Sequence, residues 1–179
     1  MIYVFLAQGF EEIEALTTVD ILRRADIKVT TVGVGSKTII GAHGISVIAD
    51  VTENEVVIDN IKAVILPGGM PGTINLENND TVKNSVKYCN DNNLLICAIC
   101  AAPSILGHMG LLREVKATCF PGFENELTNA FVTNDFVVKD KNIITAKGAG
   151  STIPFALAIV EQLVDAKIAQ EIKVAIQCP

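Results

Sequence analysis

The sequence predicts an α/β fold in which helices cover both faces of a mostly parallel sheet. Three observations indicate this fold: strand-like and helical patterns alternate, several strand-like runs are apolar throughout, and those runs end in turn-forming residues. A strand without polar alternation is typical of a parallel sheet that is buried on both sides. The 179 residues suit one domain with its own core, so we expect a single domain over residues 1–179.

The strands are predicted from short apolar or β-branched runs that end at turn residues. The first run covers residues 2–7, and the run at 63–66 stops at the breaker sequence Pro-Gly-Gly-Met-Pro-Gly. Residues 131–138 and 142–146 form a predicted hairpin joined by residues 139–141. The remaining predicted strands are 27–34, 45–49, 94–99 and 117–120.

The helices are predicted from apolar residues at helical spacing and from capping residues. In the predicted helix at 11–25, the apolar stripe consists of Ala15, Leu16, Val19 and Leu22. The other predicted helices are 80–91, with Asp80 as its N-cap, then 103–109, 152–164 and 166–175.

The stretch from Leu94 to Ser104 is where the predicted sheet meets a helix at a cysteine. Its apolar run stops at Cys100, small residues follow, and Pro103 suits the first turn of a helix. We therefore expect a sharp bend at the carboxyl edge of the sheet, with Cys100 at the bend. Orphan N–H groups and the helix dipole at such a bend are expected to favour the thiolate, so Cys100 is the candidate nucleophile.

Two plainer interpretations of the cysteines stay open at this point. A buried cysteine usually acts as a small apolar side chain, and Cys97 with Cys100 spells C-x-x-C, a pattern of dithiol and zinc sites. Cys97 lies inside the predicted strand, however, and the chain has no second C-x-x-C or H-x-x-H pair, so no metal is expected. The odd total of five cysteines argues against a disulfide framework and indicates reduced thiols.

A carboxyl group and a glycine turn are further candidate parts of a site. Glu14 lies at the edge of the apolar stripe, where a protonated carboxyl group could donate a hydrogen bond to a thiolate and shuttle a proton. Glu11 and Glu12 are interpreted as residues that complement the helix dipole. Gly68 and Gly69 form either an ordinary turn or a source of backbone N–H groups for an oxyanion.

The second glycine turn and the histidines cannot be assigned from the sequence. The turn at 148–150 precedes a helix and could equally hold an anion or a close backbone segment. His43 lies in a glycine-flanked loop, and His108 comes two turns after the predicted bend. Neither histidine is identified as a partner of Cys100.

Composition excludes several classes of function. The net charge is -6 and there is no run of lysine or arginine, which argues against nucleic acids and anionic membranes as partners. No G-x-G-x-x-G or Walker pattern is present, so a nucleotide cofactor is not expected. The apolar runs are shorter than a membrane span, and the N-terminal run lacks the basic start of a signal peptide. We therefore expect a cytoplasmic protein.

Six segments of the sequence form a highly specific combination when they are taken in order. They are QGFEEIE at 8–14, DILRRA at 20–25, LPGG at 66–69, AICAAP at 98–103, GAGS at 148–151 and FALAIVE at 155–161. Together they resemble, over nearly the whole chain, the ThiJ/PfpI superfamily and, within it, the Parkinsonism-associated deglycase branch with its thiol chaperone-like members.

The resemblance implies a flavodoxin-like sandwich that usually forms a homodimer, with a nucleophile elbow at Cys100. It implies a protonated Glu14 against the thiolate and a backbone oxyanion site at Gly69 and Met70. Reported family activities are cofactor-free conversion of methylglyoxal or glyoxal to the hydroxy acid, deglycation of early adducts, redox-dependent chaperoning and peroxide sensing. In the sensing role, the glutamate stabilises a cysteine sulfinic acid.

The sequence departs from the family pattern at three positions. Phe120 stands where several members carry a histidine, so Glu14 would carry the proton transfers alone. His43 stands where some relatives have an arginine. Ala101 stands where the peptidase branch has a histidine directly after the nucleophile, which argues against proteolysis.

The sequence thus predicts a cofactor-independent cysteine enzyme that acts on reactive α-oxoaldehydes. Cys100 would attack the aldehyde, Glu14 would move the proton, and N–H groups near Gly69 and Ala101 would hold the oxyanion. Two alternatives remain: a stress-responsive protein or redox-regulated chaperone that acts through oxidation of Cys100, and a binding module without chemistry. The predicted pocket residues are Gly68, Phe120 and Gly148.

Overall fold

The computed structural model describes residues 1–179, and its elements follow the alternation that the sequence predicts. The helices are α1 (Glu12–Arg24), α2 (Gly72–Glu77), α3 (Asp80–Asp91), α4 (Pro103–His108), α5 (Thr152–Leu163) and α6 (Ala166–Ala175). The strands are β1 (Ile2–Leu6), β2 (Val29–Gly33), β3 (Thr38–Ile40), β4 (Ser46–Ile48), β5 (Val51–Thr52), β6 (Ala63–Leu66), β7 (Leu95–Ile99), β8 (Lys116–Ala117), β9 (Phe131–Val132), β10 (Val137–Asp140) and β11 (Ile143–Ala146).

Seven strands form the central sheet, in the order β10-β11-β7-β6-β1-β2-β5. Every neighbouring pair is parallel except the hairpin of β10 and β11 at one edge. Two small two-stranded sheets, β3-β4 and β8-β9, lie outside it. The predicted fold class, a mostly parallel sheet between helices, is confirmed.

Two hydrophobic cores lie on opposite faces of this sheet, and strand alternation distributes side chains between them. In β1, Ile2, Val4 and Leu6 point into the core that contains residues of α1, α5 and α6, while Tyr3 and Phe5 point into the core of α3 and α4. Because both faces are covered, both sets of side chains must be apolar. This explains the continuous apolar runs in the sequence.

The sequence did not predict α2, which begins at Gly72, directly after Pro71 in the breaker sequence. Proline and glycine are poor helix formers, but burial of Thr73 and Leu76 stabilises this short helix. The predicted N-cap Asp80 is wrong by one residue: the Asn79 side chain accepts the hydrogen bond from the N–H of Val82.

The predicted strand at 131–138 divides into two strands that join different sheets. Residues of β9 pair in parallel with β8, whereas β10 pairs with β11. The predicted strand at 117–120 is reduced to Lys116–Ala117. Local propensity cannot reveal these breaks, since partner strands decide them.

The carboxyl ends of four central strands bring four loops together. The N–H of Glu11, after β1, donates to the carbonyl of Gly68, after β6, at 2.9 Å. The N–H of Cys100, after β7, donates to the carbonyl of Ala146 at the end of β11, also at 2.9 Å. Ligands of open α/β sheets bind at this edge.

None of the six helices has both the length and the apolar character that crossing a membrane requires.

Candidate active site

The backbone bends sharply at Cys100, between the central strand β7 and α4. Cys100 has φ of 65°, in the left-handed region that side chains other than glycine rarely adopt. Hydrogen bonds hold its main chain from both sides: its N–H donates to Ala146, and its carbonyl accepts from the N–H of Phe120 at 2.8 Å. The surrounding main chain therefore holds Cys100 in a strained conformation, of a kind found at functional sites.

Gly68 allows the Cys100 side chain to lie against the neighbouring loop. A Cβ atom at Gly68 would lie 2.6 Å from the Cys100 Cβ and 2.8 Å from Glu14 Oε2, closer than van der Waals contact permits. Only glycine fits there without displacing the cysteine or the glutamate. The sequence predicted Gly68 as a pocket residue, and the structure places it between these two side chains.

The carboxyl group of Glu14 is buried beside Cys100. Its side chain comes from the first turn of α1, and the residue is 1% exposed. Oε2 accepts the N–H of Gly68 at 2.8 Å, whereas Oε1 is buried without a hydrogen-bond partner. Oε1 is therefore the oxygen that is free to carry a proton or to form a hydrogen bond with a polar group on Cys100.

Burial raises the pKa of the Glu14 carboxyl group to about 7, and the hydrogen bond from Gly68 opposes that rise. Burial also raises the pKa of the Cys100 thiol to about 12, and the negative charge of Glu14 adds to the effect. The prediction that the helix end would favour the thiolate is therefore wrong for the state in which Glu14 is ionised. The physical reason is that α4 has only six residues and the thiol is buried beside a carboxylate.

Two backbone N–H groups act on the thiol of Cys100. Those of Gly69 and Ala101 lower its pKa, against the larger effect of burial. Their position suits an oxyanion on an atom bonded to sulfur. Met70 is the third predicted backbone donor, and the placement of its N–H near the sulfur stays a prediction; its half-exposed side chain lines a neighbouring cavity with Thr73.

A sequence profile of the DJ-1/PfpI family matches residues 1–162. The chain belongs to the DJ-1/PfpI family. It is 35% identical to protein dj-1beta of Drosophila melanogaster, over 94% of this chain and 92% of that protein. It is 32% identical to the glutathione-independent glyoxalase DJR-1.2 of Caenorhabditis elegans, over 86% of this chain and 82% of that protein.

A solved DJ-1 superfamily structure shares the whole architecture. The crystal structure of a cysteine-to-alanine mutant of STM1931 from Salmonella typhimurium superposes with a TM-score of 0.95 at 35% identity. The superposition covers 99% of this chain and 98% of that one. The fold of the DJ-1/PfpI family therefore extends through α6, beyond the segment that the profile matches.

Phe120 and Gly148 lie next to each other beside the bend, where the resemblance to the DJ-1/PfpI family placed a histidine in several members. The Phe120 ring is 3.2 Å from the position that a Cβ of Gly148 would occupy, so glycine makes room for the ring. Phe120 is 47% exposed and faces a cavity. A phenyl ring cannot accept or donate a proton, so Phe120 cannot replace that histidine in a proton transfer.

Glu12 and His43 form an ion pair that the sequence analysis did not predict. Glu12 is 4% exposed, and its carboxylate accepts the N–H of His43 at 2.8 Å and faces the ring Nδ1 at 2.9 Å. This hydrogen bond raises the pKa of His43. Gly41 is the sequence feature that could have indicated this pair. A Cβ atom at this position would lie 2.2 Å from Glu12 Oε1, so a glycine is needed there. With Glu11, these donors lie within 4.8 Å of one another, but the Glu12 oxygens are already occupied.

The remaining candidates from the sequence lie away from the sulfur. His108 bridges two carboxylates, with Nδ1 2.5 Å from Glu77 and Nε2 2.8 Å from Glu126. Cys97 is fully buried within β7 and belongs to the core. The site therefore consists of one cysteine, one buried carboxyl group and backbone N–H groups.

Proposed function

We propose that this protein converts reactive α-oxoaldehydes, such as methylglyoxal, to the corresponding hydroxy acids without a cofactor. The observation that carries the proposal is the buried Glu14 carboxyl group with an unpartnered oxygen beside Cys100. A nucleophile and an adjacent acid-base group are the two parts that this isomerisation needs. The 32% identity to a relative named as a glutathione-independent glyoxalase supports the same chemistry.

The proposed first step joins sulfur to the aldehyde carbon. The Cys100 thiol transfers its proton to the Glu14 carboxylate, and the thiolate attacks to give a hemithioacetal. The transfer runs against the two pKa values, so the thiolate is a minor form of the pair. Once formed, the thiolate accepts a hydrogen bond from the neutral acid beside it. The N–H groups of Gly69 and Ala101 hold the developing oxyanion.

The second step moves hydrogen between the two carbons of the substrate. Glu14, which is neutral after the first step, gives its proton to the hemithioacetal oxygen and becomes a carboxylate again. The carboxylate then removes the proton from the former aldehyde carbon and returns it to the adjacent carbonyl carbon through an enediol. One carbon is oxidised while the other is reduced, so the step balances without an external electron acceptor. Water then cleaves the thioester, releases the hydroxy acid and restores the thiol.

The test is lactate formation from methylglyoxal, measured with an enantiomer-specific assay. Wild-type protein and Cys178→Ser, which removes a partly exposed thiol elsewhere, are expected to produce lactate at equal rates. Cys100→Ser is expected to produce none above the spontaneous rate. Lactate at the wild-type rate from Cys100→Ser would reject Cys100 as the nucleophile.

A second function is favoured by the same unpartnered oxygen. We propose that peroxide oxidises Cys100, and that Glu14 Oε1 donates its proton to an oxygen on the oxidised sulfur. Each oxidation consumes one peroxide, which transfers one oxygen to sulfur and leaves as water. Such a protein would serve as a redox-regulated stress protein or chaperone in the cytoplasm, where its five free thiols stay reduced.

Intact mass under graded peroxide tests this second function. Wild-type protein is expected to gain two oxygens on Cys100 before any other cysteine is oxidised. A gain of the same size in Cys100→Ser would contradict it.

A further inference from the structure

A cavity of about 300 Å³ lies next to the Cys100 bend and is lined by Phe120 and Lys147 but not by Cys100 itself. One wall starts at Phe120, whose N–H donates to the Cys100 carbonyl, and another starts at Lys147, which follows the Ala146 carbonyl that accepts the Cys100 N–H. The two main-chain hydrogen bonds of Cys100 therefore also position the segments that form the walls of this cavity. The lining residues are Phe120, Pro121, Phe136, Lys147, Gly148, Ala149, Gly150 and Ser151.

The walls of the cavity are aromatic and carry one positive charge. Phe120 is 47% exposed and Phe136 is 69% exposed, although phenylalanine is usually buried. Lys147 Nζ lies 5.8 Å from the centroid of the Phe136 ring, within the range of a cation–π contact. It also donates to Asn134 Oδ1. A cavity with such walls favours an apolar or aromatic group over a small polar one.

The methyl group of methylglyoxal is too small to cover these rings, whereas a phenyl group fits. An apolar cavity of roughly 150 Å³ already accommodates benzene, and the cavity beside Cys100 is larger. A substrate ring here would contact both phenylalanines and the Lys147 cation. The attacked aldehyde carbon would remain at the sulfur.

We propose that this cavity binds the side chain of the substrate and that the protein prefers aryl or bulky 2-oxoaldehydes to methylglyoxal. This inference rests on the proposed function. For phenylglyoxal the balance is unchanged: the aldehyde carbon is oxidised, the ketone carbon is reduced, one water is consumed, and mandelate leaves. Phe120, in place of a polar residue, thus acts as a determinant of specificity.

The test compares kcat/KM for phenylglyoxal and methylglyoxal. Wild-type protein is expected to favour phenylglyoxal by about tenfold or more, the scale on which apolar pockets discriminate. Phe136→Ala is expected to reduce that ratio by about fivefold or more. Phe131→Ala is the matched control, because Phe131 is 60% exposed but does not line the cavity. Since phenylglyoxal also modifies arginine, rates are corrected with Cys100→Ser, which has the same arginines.

A wild-type ratio of one or less, or an unchanged ratio in Phe136→Ala, would overturn the inference. If neither substrate shows turnover that depends on Cys100, the proposed function fails instead. Binding to the cavity is then tested with the two products. Mandelate is expected to protect Cys100 from iodoacetamide more strongly than lactate does. Equal protection by mandelate and lactate would overturn the inference. Phe136 is mostly exposed, so its replacement is not expected to disturb folding.

Discussion

Cys100 and Glu14 lie side by side in a buried site, so their protons are lost as those of a coupled pair. The pKa of Glu14 is raised from 4.5 to about 7. Between pH 4.5 and about 7 the folded protein therefore binds more protons than the unfolded chain. The Glu14 carboxyl group lowers the free energy of unfolding as pH rises through this range. Above pH 7 one proton remains on the pair, either on Cys100 or on Glu14. The reactive thiolate is present in the form in which Glu14 is neutral.

We expect the rate of Cys100 alkylation by iodoacetamide to rise with pH through an apparent pKa near 7, because the pair then loses its first proton. In Glu14→Gln that inflection should disappear, leaving one above the ordinary cysteine value of about 8.5, since burial still acts on the thiol. Peptide mass spectrometry distinguishes Cys100 from the other four cysteines. An inflection near 7 that persists in Glu14→Gln would contradict the coupling.

At the scale of secondary structure, His108 connects three segments. It lies at the end of α4 and contacts Glu77 at the end of α2 and Glu126 in a 3₁₀ turn. The hydrogen bonds that the His108 ring donates to Glu126 and Glu77 raise the pKa of His108. Since the pKa is raised in the folded state, this contact stabilises fully below about pH 6.5 and is lost as pH rises through the folded pKa.

His108→Gln is therefore expected to lower the free energy of unfolding more at low pH than at high pH. The difference should be about 1 kcal/mol or less, because the imidazole is partly exposed. Urea unfolding on both sides of the transition measures it. Lys87→Gln is the control, since it removes an exposed ion pair, with Asp91, that contains no imidazole. An equal loss at both pH values would show that the His108 contribution is not electrostatic.

Elements with strong periodic or apolar patterns could be predicted from the sequence, whereas elements that depend on distant partners could not. The bounds of α6 match the prediction because Asp165 caps the helix locally. In contrast, α2 and β9 exist because of packing and pairing with remote segments. The same division holds at the site. The bend at Cys100 was visible in local sequence, but the ion pair of Glu12 and His43 joins residues 31 positions apart.

At the scale of the whole molecule, a patch of exposed isoleucines interrupts an otherwise acidic surface. Ile13 on α1 is 55% exposed, and Ile40, Ile45 and Ile48 around the β3-β4 hairpin are 48–73% exposed. The hairpin is attached to the start of α1 through Glu12. Ile13 follows Glu12 on α1, and its side chain also lines a cavity with Ile153 of α5. Such a patch is typical of an association surface. The homodimer that the resemblance implies thus has a candidate interface.

We expect the protein to sediment as a homodimer, and Ile13→Lys with Ile48→Lys to shift it towards the monomer, since two like charges would meet across the interface. Val174→Lys is the control, because Val174 is 59% exposed on α6, outside the patch. Analytical ultracentrifugation measures the distribution. Equal sedimentation of all variants and the wild type would reject this surface as the interface.

The most direct test of the central claim, that Glu14 is the acid-base partner of Cys100, is the rate of lactate formation by Glu14→Gln. The amide cannot carry a proton between carbons, so the rate is expected to fall by about 10²-fold or more. Cys100 in this variant should still be alkylated by iodoacetamide at high pH. Lactate formation within a few-fold of the wild-type rate would contradict the claim.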